Sequence, residues 1–444
     1  MITAEENVDL CAVGKGTLMG EFFRQFWTPV CLSSELVADG DPVRLMILGE
    51  KLIGFRDTEG RVGVMDHRCP HRCASLFFGR NEKGGIRCAY HGWKFDVTGK
   101  CLDQPNLEDK NKYPAGTPAY AYKTCESGGI VFAYFGERQD NPPPLPEIDA
   151  IMGEGDDRNI ALTHRDCNYM QALEGDIDTS HLGFLHVGGI DGEKLDLSDP
   201  EVFTVTEKSP KINVTTTNFG TMYSAQRDAM EGHEHQRYAC YLYPFWVTYP
   251  GGGGLAASKT VNAWVPIDDD STMIFNIDLS RAEGGGKKKL KYADGSPVGG
   301  LERPLEYLPT TTDWKGRWRP VKDASNDYDI DREWQRNGDS YTGIVGVPLQ
   351  DQAIQESMGH VVDRTMEHLA ASDRMVILTR RVMLDAALDW RDSKKLPDFV
   401  DHPEYAQNAR GGDIIVPKGT DWLDGYEEKM AEAKGYKPNL SAAE

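Results

Sequence analysis

Nothing in the 444-residue sequence is apolar for long: the richest stretch, YLYPFWVTYP, is too short and too polar to cross a bilayer. Basic residues are scarce, 49 Lys and Arg against 70 Asp and Glu, which leaves a net charge of −21. That balance argues against a nucleic-acid partner or an anionic membrane surface, since either would favour a basic face. The nine cysteines are odd in number and scattered, unlike the framework of a disulfide-stapled secreted domain. The opening MITAEENVDLCAVGKG has no basic segment followed by an apolar run, so a cytoplasmic protein with no membrane partner is expected. No internal repeat is visible. What remains is a chain with a 39% hydrophobic fraction and length for two or three ordinary globular domains.

The texture changes along the chain. Residues 1–40 are a lead-in whose TLMGEFFRQFWTPV places Leu18, Phe22, Phe23 and Phe26 at helical spacing behind Thr17 as N-cap. From 41 to 140 short β-prone runs broken by glycine (VRLMILGEKLIGFRD, RVGVMD, GGIVFAYFG) predict a small all-β domain. The four prolines of RQDNPPPLPEID then mark a crossing to a second domain, 141–444. There a helical NYMQALEGDIDTSHLGFLH precedes strand-like alternation from VFTVTEKSPKINV to TMIFNIDLS, and a C-terminal helix is expected in QDQAIQESMGHVVDRTMEHLAA. An α+β fold follows, an antiparallel sheet flanked by helices. RAEGGGKKKLKYADGSPVGG reads as a mobile surface insertion, and the last twenty residues as a polar helix or tail.

Chemistry concentrates first in DHRCPHRCASLFFGRNEKGGIRCAYHGWKFD, where Cys69-x-His71 is followed after sixteen residues by Cys88-x-x-His91. Structural zinc sites usually pair like with like, C-x2-4-C with H-x3-5-H. Here each arm gives one Cys and one His, which suits a two-iron cluster whose irons take two thiolates and two imidazoles respectively. Pro70 fixes the backbone after Cys69, and Gly92 allows close passage at the second arm. His67 and Cys73 fall outside the spacing and are read as structural or surface residues. A second constellation, Asp178-x-x-His181-x4-His186, places Asp178 beside His181 on a helix, while His186 needs a break, for which Gly183 is a candidate. Two His and a carboxylate with open positions is what non-haem Fe(II) uses for O2 chemistry, although two His five apart can also be structural.

CPHR followed by CxYHGW, and D-x2-H-x4-H after it, resemble the signatures of Rieske non-haem iron ring-hydroxylating oxygenases. MGEFFRQFWTPV and NYMQALEGDIDTSHLGFLH are further similar to the phthalate dioxygenase branch, whose oxygenase consists of α subunits only. The resemblance implies a Rieske [2Fe–2S] cluster with Cys69 and Cys88 on one iron, His71 and His91 on the other, and a helix-grip catalytic domain with a mononuclear Fe(II). It implies His181 and His186 as iron ligands, and Asp178 as a carboxylate bridging a ligand His to the neighbouring subunit's Rieske His. Of Asp351, Asp363 and Asp373, Asp351 fits the family's D-x4-E pattern with Glu356, although a helix-capping role would also explain its position. Several relatives carry an Asn near the iron, three or four residues before the bridging Asp, where Glu174 and Gly175 stand here; Asn168 lies ten residues upstream, and that role is not transferred to it.

The resemblance also implies a terminal oxygenase fed with NADH-derived electrons by a separate reductase, of flavin and ferredoxin type, or by a ferredoxin, and assembled as a homotrimer or stacked hexamer. Its substrates are expected to be O2 and an aromatic carboxylic acid, oxidised by ring hydroxylation or by O-demethylation in aromatic compound degradation. Arg227 and Arg237, on strands expected to wall the pocket, are candidates for the substrate carboxylate; pairing with Asp228 or Glu234 at the surface is the plainer alternative. Tyr241, Tyr243, Phe245 and Trp246 are candidates for an aromatic slot. Two rivals come from other classes: a zinc-stapled binding protein, and an electron carrier with a degenerate catalytic domain.

Overall fold

The structure, a computed structural model, describes residues 2–108, 117–153, 158–196, 202–251, 253–256, 258–280, 290–301, 305–338 and 340–434. The first sheet takes strands β1 (Trp27–Leu32), β2 (Val43–Ile47), β3 (Glu50–Arg56) and β4 (Val62–Asp66). Four short strands follow, β5 (Arg80–Asn81), β6 (Ile86–Arg87), β7 (Lys94–Phe95) and β8 (Cys101–Asp103), and then β9 (Ala121–Ser127) and β10 (Ile130–Tyr134). The order is β1-β10-β9-β4-β3-β2, with β5 to β8 forming a separate four-stranded meander. β1 lies within the lead-in, yet it is hydrogen-bonded into the first sheet through Trp27↔Tyr134 and its neighbours. Tight turns need left-handed backbone: Gly129 closes the β9–β10 hairpin at φ +83° and Gly49 the β2–β3 hairpin at φ +74°.

The second domain is built on β11 (Arg158–Arg165), β12 (Lys211–Thr217), β13 (Gly220–Asp228), β14 (His233–Leu242), β15 (Trp246–Thr248), β16 (Ser258–Pro266), β17 (Thr272–Ser280) and β18 (Gly412–Pro417). All pairings are antiparallel, in the order β11-β17-β16-β15-β14-β13-β12. One edge of β14 is divided: Cys240–Leu242 pair with β15, while His233–Tyr238 pair with the distant β18. Helices Tyr169–Ile177, Val347–Ser357 and Arg374–Ser393 pack around this sheet. The lead-in helix Leu18–Phe23 is capped by Thr17, as its sequence predicts, and docks Phe22 and Phe23 edge-on to Tyr243, Tyr169 and Phe245.

Several expectations change. The helix expected over QDQAIQESMGHVVDRTMEHLAA stops at Ser357, with Gly359 at φ +90° just beyond, and the longest helix is the later Arg374–Ser393. Val202–Thr206 is helical, not a strand, because Val202 and Val205, three apart, bury one face against Leu290 and Val298. Those two residues belong to the expected mobile insertion; its first part, 281–289, lies outside the described residues. Of the polar helix or tail expected over the last twenty residues, the described part belongs to the helix Trp422–Lys434, and residues 435–444 also lie outside. Among the described residues no helix is long and apolar enough to cross a membrane.

Candidate active site

The two Cys/His arms have the same backbone. Cys69 N–H donates to Ala74 O at 2.8 Å and Cys69 O accepts from Cys73 N–H at 2.9 Å; Cys88 N–H donates to Trp93 O at 2.8 Å and Cys88 O accepts from Gly92 N–H at 3.0 Å. Each loop needs a left-handed residue at its fourth position after the Cys, which Cys73 supplies at φ +58° and Gly92 at +78°. Cys73 thus shapes its loop and is exposed. A private core of Ile53, Phe55, Met65, Leu76, Ile86 and Phe95 underpins both loops and buries Cys69 and Cys88.

Cys88 is the thiol neighbour of Cys69, and the rings of His71 and His91 lie 4.5 Å apart, His71 stacked on Trp93 at 4.6 Å. Burial, reinforced by Cys88, pushes the Cys69 thiol up, so a free thiolate is costly there and a metal that binds one relieves the cost. Nδ1 of His91 is buried without a partner among the described residues. Among the described residues, the only group of three or more ligand atoms within 4.8 Å of one another is elsewhere, at His181, His186 and Asp351. The four loop residues therefore do not converge on one point, as a single tetrahedral zinc requires, and they fit a ligand set spread over two irons.

In the second domain Asn168 caps the helix Tyr169–Ile177 by accepting from Met170 N–H, and its Nδ2 donates to Cys11 O and Asp269 O. Its role is structural. The helix ends at Asp178, so the break falls at 178–180 and not at Gly183, which sits inside the short helix Leu182–Leu185. His181 and His186 bracket that turn. Asp351 enters from the second turn of Val347–Ser357, whose cap is Gly346, so a capping role for Asp351 is ruled out. Asp363 and Asp373 are used as local caps, accepting from Thr365 N–H and Ala370 N–H.

Nε2 of His181 and Nε2 of His186 are 3.2 Å apart, and Asp351 Oδ1 lies 3.6 and 3.3 Å from them. Ligands near 2.1 Å from one ion and at right angles stand roughly 3 Å apart, so the triangle matches one face of an octahedron. His186 Nδ1–H donates to Gln350 Oε1 at 2.7 Å, and Asp178 Oδ2 lies 3.5 Å from His181 Nδ1. Gln350 keeps the proton on Nδ1 of His186, and the carboxylate of Asp178 beside Nδ1 of His181 favours a proton there, so both Nε2 atoms face a carboxylate oxygen. Three electron-pair donors that close repel one another unless a cation lies between them, and the donor set fits a mononuclear Fe(II). Burial opposes ionisation of Asp351, but His186 and His181, when protonated, outweigh it and hold its carboxyl at about 2. For His181 burial is likewise outweighed, by Asp178 and Asp351, and its pKa is raised.

The triad opens on a cavity of about 210 Å³ whose walls include Arg165, Asp176, Tyr223, Arg237, Tyr249, Asn262, Trp264 and Asn276. An apolar cavity of about 150 Å³ accommodates benzene, so this volume suits one substituted ring. Arg237 lines it, held by Asp413 on β18 with Nη1 3.0 Å from each carboxylate oxygen. His235 Nε2 also meets Asp413, at 2.8 Å. Arg227 does not reach the cavity: it is buried under a separate groove beside Glu207, whose backbone O accepts from its Nε at 2.9 Å. Neither Arg is a surface residue paired with Asp228 or Glu234, which are taken up by Lys418 and by Gln226 and Gln236. Burial and the neighbouring Arg237 lower Arg227 to about 10. The aromatic slot is also elsewhere. Tyr241, Phe245 and Trp246 are buried in the main core, with Tyr243 at its margin, and Tyr223, Tyr249 and Trp264 are the rings at the cavity. Asp176, Gln350 and Asp413 carried no recognisable motif.

Residues 26–114 match the Rieske [2Fe-2S] domain, and residues 133–442 match the family described as LigXa C-terminal domain like. Over 433 residues the chain is 41% identical to the 3-chlorobenzoate-3,4-dioxygenase oxygenase subunit of Comamonas testosteroni, covering 97% of this chain and 99% of that one. It is 36% identical to the phthalate 4,5-dioxygenase oxygenase subunit of Pseudomonas putida, over 96% of this chain and 94% of that one. The crystal structure of dicamba monooxygenase bound to dicamba shares the fold, with a TM-score of 0.55 at 16% identity over 84% of this chain and 100% of that one. A cluster domain joined to a catalytic domain of this kind defines the class, an oxidoreductase that spends electrons on O2. The chain belongs to the Rieske non-haem iron oxygenases, as an oxygenase subunit of the phthalate dioxygenase-like branch. Such subunits work in multi-component systems and draw electrons from a partner protein.

Proposed function

We propose that the protein is the terminal oxygenase of a cytoplasmic, NADH-dependent system that oxidises single-ring aromatic carboxylic acids. The observation that carries this reading is that the His181, His186 and Asp351 triad and the cation of Arg237 face one cavity. In it residues 41–140 form the cluster domain behind the lead-in 1–40, and 141–444 the catalytic domain. Cys69, Cys88, His71 and His91 hold the [2Fe–2S] cluster, and His181, His186 and Asp351 hold Fe(II). The bound metals supply single electrons and O2 activation.

The chain's own residues do the rest. Arg237, oriented by Asp413, binds the substrate carboxylate, whose charge in a buried site needs a fixed cation. Gln350 and Asp178 fix the tautomers of His186 and His181. Asp178 keeps 27% of its side chain exposed and bridges to the Rieske His of a neighbouring subunit, in a head-to-tail trimer or a stack of two. A flavin and ferredoxin-type reductase, or a separate ferredoxin, delivers the electrons. Arg227 stays outside substrate contact.

Purified protein with a surrogate reductase and NADH is expected to consume O2 when supplied with benzoates. Diol production marks ring hydroxylation; formaldehyde from methoxybenzoates marks O-demethylation, the alternative outcome. Oxygen uptake with aromatic alcohols but with no aromatic acid would overturn the carboxylate reading.

A further inference from the structure

The cavity contains a carboxylate that no part of the iron site requires. Asp176 sits in the last turn of the helix Tyr169–Ile177 and forms part of the cavity wall. Two donors, Asn262 Nδ2–H and Trp264 Nε1–H, both reach its Oδ2 at 2.6 Å. Its Oδ1 takes no hydrogen bond from any described residue, and Asp176 lines the cavity. Burial and Asp351 raise the carboxyl to about 6 against the pull of the two donors, so it is mainly ionised at pH 7.5.

That carboxylate sets the polarity of a whole wall. Asn262 must turn Nδ2 toward Asp176, so its Oδ1 is the acceptor for Asn276 Nδ2 at 2.6 Å. The same Nδ2 donates to Tyr249 Oη at 2.7 Å. The sheet enforces the arrangement, since Asn262 and Asn276 are direct partners across β16 and β17. Both amides are thereby oriented, and Asn276 Oδ1 is left as a second acceptor. Asp176, Asn262 and Asn276 offer lone pairs to a ligand, whereas Arg237 on β14 offers N–H donors; Arg165, over the ring of Trp264, is a second cation on the lining.

We propose that Asp176 is a specificity-determining residue that selects aromatic monocarboxylates carrying a ring hydroxyl or amino group and rejects ring dicarboxylates. The proposal rests on the reading of the cavity as an aromatic-acid site. A hydroxyl or amine pointed at Asp176 gains a charge-assisted hydrogen bond, worth about ten- to hundredfold in affinity. A second carboxylate there meets a like charge in a low-dielectric site, and an ether or halogen leaves the acceptors unpaired.

The test is calorimetric binding to the anaerobic, iron-loaded protein, with benzoate, 3- and 4-hydroxybenzoate, 3-aminobenzoate, 3-methoxybenzoate and phthalate as probes. Wild type is expected to bind the better hydroxybenzoate at least tenfold more tightly than benzoate or 3-methoxybenzoate, and phthalate most weakly. In Asp176→Leu the hydroxy-to-benzoate ratio falls to within about threefold. In the isosteric Asp176→Asn, which keeps an acceptor for Asn262 and Trp264, the phthalate-to-benzoate ratio improves at least tenfold. Equal binding of benzoate and both hydroxybenzoates by wild type, or the wild-type ranking surviving in both variants, overturns the proposal and leaves the cavity reading intact. Failure of every aromatic acid to bind wild type overturns the cavity reading, and this proposal with it.

Discussion

Gln350 Oε1 accepts a hydrogen bond from His186 Nδ1–H at 2.7 Å, and Gln350 Nε2 in turn donates to Ile344 O at 2.8 Å. The immediate neighbour of Asp351 in sequence thus aims a different ligand of the same triad. Loss of such an outer partner typically costs a factor of about 10 to 100 in metal affinity. Gln350→Leu is therefore expected to weaken Fe(II) binding by that factor while leaving the visible absorption of the cluster unchanged. Iron titration followed by metal analysis checks it; full mononuclear iron at stoichiometric Fe(II) contradicts it.

Arg237 and Asp413 form a buried pair whose stability and binding roles separate in a double variant. Removing Arg237 alone leaves Asp413 to His235, which burial, the largest influence on it, drives toward its neutral form despite the bond to Asp413. Breaking such a pair costs about 3–5 kcal/mol. Arg237→Met is expected to lower the melting temperature and to cut kcat/KM for benzoates about 10- to 100-fold. Arg237→Met combined with Asp413→Leu is expected to recover much of the stability and none of the activity. Recovery of activity in the double variant would show that Arg237 does not bind substrate.

How legible these features were depends on how local they are. The Cys/His arms and the His181, His186 turn are set by short spacing, and the sequence exposes them directly. Asp351 was one of three downstream aspartates, and what separates it from Asp363 and Asp373 is that those two spend their carboxylates on caps a few residues away. Arg237 and Arg227 lie on neighbouring strands with alternate residues facing one way, so parity could not tell them apart. The cavity end is chosen by β18, whose Asp413 pairs with Arg237 from 176 residues away. Tyr241, Tyr243, Phe245 and Trp246 share the aromatic character of a slot, but the docking of Phe22 and Phe23 draws that surface into the main core.

Glu174, where relatives were expected to carry an Asn, is an anchor for the helix that leads to the iron ligands. Its Oε1 accepts from Arg380 Nε–H at 2.6 Å and its Oε2 from Arg364 Nη2–H at 3.0 Å, and Arg364 is fully buried. Burial would raise the Glu174 pKa, but Arg364 and Arg380 outweigh it and depress the value below 4.5. A depressed carboxylate stabilises fully above its unfolded pKa, near 4.5, and the contribution falls away as the pH drops through the folded value. Glu174→Gln is expected to lose about 3–5 kcal/mol at pH 7.5. The gap to wild type should narrow steadily below pH 4.5. Thermal melts across pH check it, and a gap that widens in acid contradicts the assignment.

Asp178 Oδ2 faces His181 Nδ1 at 3.5 Å and remains partly open to solvent, the geometry needed to hold a ligand His on one side and a group from another molecule on the other. Burial would raise its pKa, but the neighbouring His181 and the N–H of Ser180 outweigh this and lower it, so the carboxylate stays ionised. Asparagine fills the same volume and still accepts from His181, but it carries no charge and cannot accept through both ends. Asp178→Asn is therefore expected to retain both metal sites and substrate affinity. Electron transfer from the reduced cluster to the iron site should slow by at least tenfold. Single-turnover mixing of reduced, substrate-bound protein with O2, followed at the cluster's visible band, reads that rate directly. An unchanged rate would mean that the bridge runs through another residue; a lost iron signal would mean that Asp178 acts by holding His181 in place.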